Sequence, residues 1–315
     1  MTLRLAAGVA LVTAALAAAP LGLNGYQLDV VYVTLLSVAL AYGWNVISGY
    51  AGYFSFGQVA FFGIGAYVTG LLVLDERWYW LAACAAGGLV ALLVAIPGGY
   101  VMLRLRGPFF SLGMFGLAQT VRAVVSSFDQ TGGGSGLYLP PGSDLRPVYW
   151  WTLAIAAGAF AVTAWLDRSA FGLRLRALRE DEQSAGTLGV DVVRAKIGAF
   201  AISAAIPGLL GGGYAWFLTY VDPNAVFSAR LDLQAIVMTI FGGIGTLWGP
   251  LVGAVLMTQI SEALWARFPQ AYLMIFGGLL VALLIFMPRG LVPALSARFG
   301  RRETPSGGVE SPAVA

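Results

Sequence analysis

Residues 27–74 read QLDVVYVTLLSVALAYGWNVISGYAGYFSFGQVAFFGIGAYVTGLLVL, with Asp29 as the one charged residue. A bilayer span needs about 20 mostly apolar residues. The stretch holds two such segments, at 27–48 and 53–74, with a glycine-rich seam between them. A water-soluble fold has too little polar surface here to cover so much apolar chain. Within Gly49–Gly70, glycine recurs at 49, 52, 57, 63, 65 and 70. Two readings fit this spacing. Glycine lets helix backbones approach closely, or it lets a helix break inside protein and line a pathway, with Asn45, Ser48, Ser55 and Gln58 as the polar groups. Amides at membrane depth are costly unless paired or hydrated, which keeps the pathway reading in play.

Outward from this stretch the pattern continues. The 315 residues are 59% hydrophobic and only 10% charged, where a soluble domain carries roughly 25% charged residues. Candidate spans run at 5–23, 27–48, 53–74, 79–102, 108–127, 148–166, 197–220, 232–247, 249–266 and 270–288. The fold class predicted is all-α: a polytopic transmembrane helical bundle of about ten spans (8–10) with broken Gly-rich segments. The eighth span is short, so it is tilted, broken or re-entrant. Residues 1–292 make the transmembrane domain, and 293–315, rich in Ser, Pro and Gly, make a disordered tail. Met1–Asn24 has the Arg4, apolar core and Ala17–Ala19 of a signal peptide, yet spans follow at once, so an uncleaved first helix is expected.

Basic residues orient the bundle. With the N-terminus in the cytoplasm, cytoplasmic segments hold Arg4, Arg104, Arg106, Arg168, Arg174, Arg176, Arg179, Arg194, Lys196, Arg289, Arg298, Arg301 and Arg302. External segments hold only Arg77, Arg146, Arg230 and Arg267. Both termini are then inside. The acidic residues Asp29, Asp75, Asp129, Asp144, Asp222 and Asp232 fall mostly outside. Trp78, Trp80, Trp150, Trp151 and Trp265 sit at span ends, as an interfacial aromatic belt requires.

The absences exclude whole classes of chemistry. There is no His and one Cys, Cys84, so no Cys/His metal cluster, internal disulfide or His-dependent catalytic set is possible. The one Lys, Lys196, lies between Ala195 and Ile197, outside any GxxxxGK[ST] phosphate loop. If ATP drives this chain, another subunit binds it, and no cofactor or metal is expected. Arg122 and Glu262 lie in or near spans and either face a cavity or snorkel outward. Gln119 and Gln259, three residues earlier in each case, share their helix faces and join the candidate pathway residues.

Two further segments stand out. Phe241–Val255, FGGIGTLWGPLVGAV, makes a turn between apolar runs and echoes GYAGYFSFG; such paired interruptions often mark transporter sites. Asp167–Lys196, the longest charged stretch, is helix-compatible from about Gly172 to Leu188 with Ser169 as cap, and Leu175, Leu178 and Ala185 fall near one face. It is either an amphipathic connector on anionic lipid or a docking helix that presents this apolar stripe to a cytoplasmic partner.

The run Tyr42–Gly70, Gly107–Pro108, TGGGSG at 131–136, FGLRLRALREDEQSAGTLGVDVVRAK at 171–196, FGGIGTLWGPLVGA at 241–254 and MPRGL at 287–291 follow one another in an order and spacing that resembles the LivM-type permeases of high-affinity branched-chain amino-acid importers, in the ABC transporter superfamily. The resemblance covers about residues 30–292. It implies a second, LivH-like permease subunit, two cytoplasmic ABC ATPase subunits, a periplasmic or extracellular solute-binding protein, a lipid setting in the bacterial inner membrane and no nucleic-acid partner. It also implies a coupling loop over about 168–196, with Arg174, Arg176, Arg179, Glu182, Gln183, Ser184, Ala185 and Gly189 touching or serving the ATPase. The superfamily's EAA-type motif maps onto Gln183, Ser184, Ala185 and Gly189. Here Gln stands for the motif's Glu, Ser for one Ala, and the later Ile-x-Leu-Pro part is missing, so the general form of a coupling helix is what survives. Bulky charged replacements of Ala185 or Gly189 are expected to uncouple transport.

The function implied is therefore that of a non-enzymatic permease subunit for branched-chain amino acids. Relatives for urea and short amides offer one alternative. An ion-coupled secondary transporter is another, with Glu262 its one candidate carboxylate within a span, and an intramembrane enzyme has neither His nor an acidic pair to work with.

Overall fold

The computed structural model describes residues 3–140 and 145–268, with positions 270, 271, 274, 277, 278 and 290–294. Helix α1 (Leu3–Gly22) is followed by α2 (Gly25–Trp44), which continues as a π-helical turn over Asn45–Tyr50. Residues 51–57 are non-helical, and α3 (Gln58–Leu74) begins beyond them. Next come α4 (Trp80–Met102), α5 (Pro108–Ser127), a short strand β1 (Leu137–Tyr138) and α6 (Arg146–Leu166). The 167–196 connector holds α7 (Ala170–Glu180) and α8 (Glu182–Thr187), and leads into α9 (Val192–Leu218). Strand β2 (Tyr220–Val221), α10 (Pro223–Val226), α11 (Ala229–Gly242) and α12 (Gly249–Arg267) complete the order.

The molecule is an all-α polytopic membrane protein, with six helical stretches among the described residues long and apolar enough to cross a membrane: Gly25–Tyr50, Trp80–Met102, Pro108–Ser127, Arg146–Leu166, Val192–Leu218 and Pro223–Gly242. Helices also occupy the first, third and ninth predicted spans, as α1, α3 and α12. The tenth, 270–288, lies largely outside the described residues. So does most of the expected tail, although residues 291–294 are helical and Pro293 packs beside Gly243.

The glycine-rich stretch both breaks and packs closely. The chain breaks between Tyr50 and Gln58, and α3 also packs tightly on α9. A Cβ on Gly65 would strike the Gly208 carbonyl, and one on Gly211 the Phe62 carbonyl. Small residues let these backbones meet where lipid offers no hydrophobic drive. The aromatic belt is only partly as expected. Trp78, Trp150 and Trp265 are exposed, but Trp80 is buried and stacks on Trp216 with ring centroids 5.9 Å apart, and Trp151 donates to the Leu209 carbonyl at 3.0 Å.

Helix α9 has 27 residues, about 40 Å at ~1.5 Å per residue, and so defines two ends of the molecule. At its Leu218 end β2 pairs antiparallel with β1, Leu137 opposite Val221 and Tyr138 opposite Tyr220. TGGGSG closes this ribbon: Gly136, at φ +75°, lies so close to the Val221 carbonyl that a Cβ would collide with it. At the Val192 end the α4–α5 turn, with Arg104 and Arg106, lies against the 167–196 connector around a shared surface recess.

Candidate functional site

The site is assembled where the 167–196 connector meets the break after α2. Ser169 caps α7, its hydroxyl accepting from the Gly172 amide at 3.0 Å, as the sequence predicts. The single helix expected over 172–188 is in fact two. Asp181 is extended (φ −156°, ψ 117°) and caps α8, accepting from the amides of Gln183 and Ser184. Gly189 closes the unit at φ +85°, a backbone region that suits glycine.

The apolar stripe faces the opposite way from the docking expectation. Leu175, Leu178 and Ala185 are buried in one cluster with Val46, Ile47 and Tyr50 of the π-helical turn. The connector therefore uses its stripe to grip its own bundle, because that surface is the nearest apolar face available. Leu173 and Leu188 stand exposed instead, at 69% and 84%, beside exposed Arg174, Gln183, Ser184 and Gly189.

Polar bonds reinforce the grip. Arg179 Nη1 donates to the Gly49 carbonyl at 2.6 Å. Arg176 pairs with Asp167 and lies over the Tyr50 ring, 5.4 Å from its centroid. Glu182 accepts from Lys196 Nζ at 2.6 Å and from the Tyr53 hydroxyl at 2.8 Å, with Arg106 at 3.6 Å. Burial pushes the Glu182 carboxyl up, but the bonds from Lys196 and Tyr53 and the charges of Lys196 and Arg106 together hold it below its ordinary value. A cavity of about 780 Å³ opens here, lined among others by Gly52, Tyr53, Arg106, Ser111, Arg179 and Glu182.

The candidate pathway residues separate into two groups. Asn45, Ser48, Ser55 and Gln58 are all buried around the break. Asn45 donates to the Thr246 carbonyl at 3.2 Å and accepts from the Gly245 amide at 2.8 Å, so the two glycine-rich motifs meet directly. The Ser48 hydroxyl donates to the Tyr53 carbonyl and accepts from the Ser55 amide. The Gln58 amide donates to Ser203, which donates to the Gly43 carbonyl. Gln119 on α5 is half-buried, and Gln259 on α12 is exposed and bonds Thr34 of α2. These two do not join the break.

Asp232 is the main residue that sequence reasoning misplaced. Counted among the external acids, it is 4% exposed and accepts from the Val59 amide at 2.9 Å, on the first turn of α3. Glu262, the expected carboxylate within a span, is half-buried and accepts from the Tyr26 hydroxyl at 2.6 Å, and Arg122 reaches Asn224 at 3.2 Å. The signals for Lys196 and Asp232 were present in their apolar surroundings, Ala195–Ile197 and Leu231–Leu233.

Residues 26–285 match the model of the family described as branched-chain amino acid transport system / permease component. The chain belongs to this family. It is 27% identical over 303 residues to the high-affinity branched-chain amino acid transport system permease protein LivM of Salmonella typhimurium, covering 85% of this chain and 70% of that protein. To LivM of Escherichia coli it is 27% identical over 301 residues, with 84% and 69% covered. To LivH of Salmonella typhimurium it is 23% identical over 300 residues, with 85% and 93% covered. No solved structure matches the chain. In this permease the whole break-and-connector site lies inside the family match, whereas α1 precedes it.

Proposed function

We propose that this permease is the LivM-like membrane subunit of an ABC importer of branched-chain amino acids. It would pair with a LivH-like permease, take solute from an extracellular or periplasmic binding protein, and be driven by two separate ATPase subunits in the cytoplasm. The similarity to both LivM and LivH proteins supports the substrate class and the permease pair, and does not favour the urea and amide alternative.

The observation that carries the mechanism is the double attachment of Arg179 and Glu182 to the broken segment, at Gly49 and Tyr53. A load applied to α7 and α8 reaches the interruption of α2 through these bonds and the buried Leu175–Leu178 stripe. Rigid packed elements pass such displacements on, because cores are bistable rather than continuously deformable. The exposed surface of Leu173, Arg174, Gln183, Ser184, Leu188 and Gly189 is then the face offered to an ATPase. Ala185, being buried, positions α8 from within instead of touching the partner.

Convergence of the Arg104–Arg106 turn and the 167–196 connector at one end of α9 supports placing that end in the cytoplasm of the bacterial inner membrane. The ribbon end is then external. Ten spans with both termini inside remain the topology that fits this alternation. The deciding experiment is reconstitution with the partner subunits in vesicles. ATP-dependent uptake of labelled L-leucine is expected, and it should fall several-fold on L188E while membrane insertion is unchanged. Full uptake by L188E and an L173E/L188E pair would remove the docking face from this surface.

A further inference from the structure

The first turns of two helices of this permease, α3 and α11, touch. Helix α3 starts at Gln58 after the break, and its 17 residues rise only about 25 Å, short of a hydrocarbon core of about 30 Å. Helix α11 starts at Ala229 and places Asp232 against it. Among the described residues Asp232 is the one buried carboxylate. Its Oδ1 accepts from the Val59 amide, but its Oδ2 has no hydrogen-bond partner. Next to it in sequence from Val59, the buried Gln58 leaves Oε1 without a partner as well. Both orphan atoms are acceptors, so together they ask for a donor, and the carboxylate asks for a cationic one. Val59, Ala60, Ala118 and Leu231 pack into one small apolar cluster here. Two of the four are alanines, and admitting a ligand requires α5 and α11 to part from α3.

We infer that Asp232 and Gln58 form a subsite for the ammonium group of an amine-bearing solute. The inference rests on the transport reading above and sharpens it: a carboxylate here favours an amino acid over a neutral amide such as urea. An ammonium supplies donors to both oxygens, while the solute's aliphatic part meets the apolar wall.

The test uses the assembled importer and the variant D232N, which keeps an oxygen for the Val59 amide and the side-chain volume. Isopentylammonium chloride, which has the ammonium and aliphatic part of the solute without a carboxylate, is added to wild type and D232N while thermal unfolding is followed. A shift of the unfolding midpoint in wild type that D232N loses is expected, with 4-methylpentanoate giving no shift that depends on residue 232. D232N should also lower L-leucine uptake about tenfold while binding-protein-stimulated ATP hydrolysis persists, and D232E should recover part of the uptake. Equal shifts in both proteins overturn the subsite. So does a D232N that is more stable than wild type with undiminished uptake, since that variant would mimic a protonated Asp232 donating to Gln58. An Asp232-dependent shift without any L-leucine uptake by wild type would uphold the amine subsite and defeat the branched-chain transport reading instead.

Discussion

Glu182 receives bonds from two elements at once, Lys196 at the start of α9 and Tyr53 in the interruption after α2. Lys196 is buried, so removing its counter-charge leaves a cation in a poor solvent. E182Q should therefore cost about 2 kcal/mol at neutral pH, below the full penalty for a completely buried pair because Glu182 is partly exposed. The sign of the pH dependence follows from the lowered Glu182 value. Its contribution is fully present above the ordinary glutamate value of 4.5 and is lost as pH falls through the lower native value. Thermal unfolding in detergent should show the gap between wild type and E182Q closing below that pH, and a gap that persists in acid would assign the effect to packing. Gly189 makes a simpler case. No atom lies within 4 Å of an added Cβ, so G189A pays only for its φ of +85°, about 1 kcal/mol. An unfolding curve that moves by much more would mean the α8 end does more than turn.

At the scale of elements, α7 and α8 are two short helices separated by the extended Asp181 and bound to the bundle along one side. The bond from Arg179 to Gly49 ties α7 to the π-helical turn just before the break. R179A is expected to reduce L-leucine uptake several-fold per ATP hydrolysed while shifting stability by less than about 1 kcal/mol, because the bond is only partly buried. Parallel loss of uptake and hydrolysis would point to failed assembly instead. Asn45, in the π-helical turn before the break, bonds Gly245 and Thr246, so N45L should destabilise both interrupted motifs together. Much of this was legible in advance: the cap at Ser169, the turn at 242–249 and the broken helix all carry local chemistry. The direction of the Leu175–Leu178 stripe was not. A 3.6-residue period shows that a helix has an apolar face, but it does not show whether that face meets the chain's own bundle or a partner.

For the molecule as a whole, α9 separates a basic end from a ribbon end, and this polarity can be measured. Cys84 is the one cysteine and is buried. A C84A background therefore allows single cysteines at Arg174 and at Tyr138, which is 72% exposed on β1. A membrane-impermeant maleimide should label R174C only from the cytoplasmic face and Y138C only from the opposite one. Labelling of both from one side would defeat the proposed topology and with it the ATPase contact.

By itself the sequence determined the solvent of this protein. Apolar runs of span length, few charges, and arginines gathered in alternate connectors admit a multi-pass helical bundle and little else, because lipid accepts only chains that satisfy their own backbone polar groups. The tertiary structure alone decided which polar residues meet. Asp232 and Val59, Arg179 and Gly49, and Glu182 and Lys196 are joined by helix packing that no local pattern encodes, since a side chain's partner depends on where a distant helix breaks and how closely glycines let its neighbour approach.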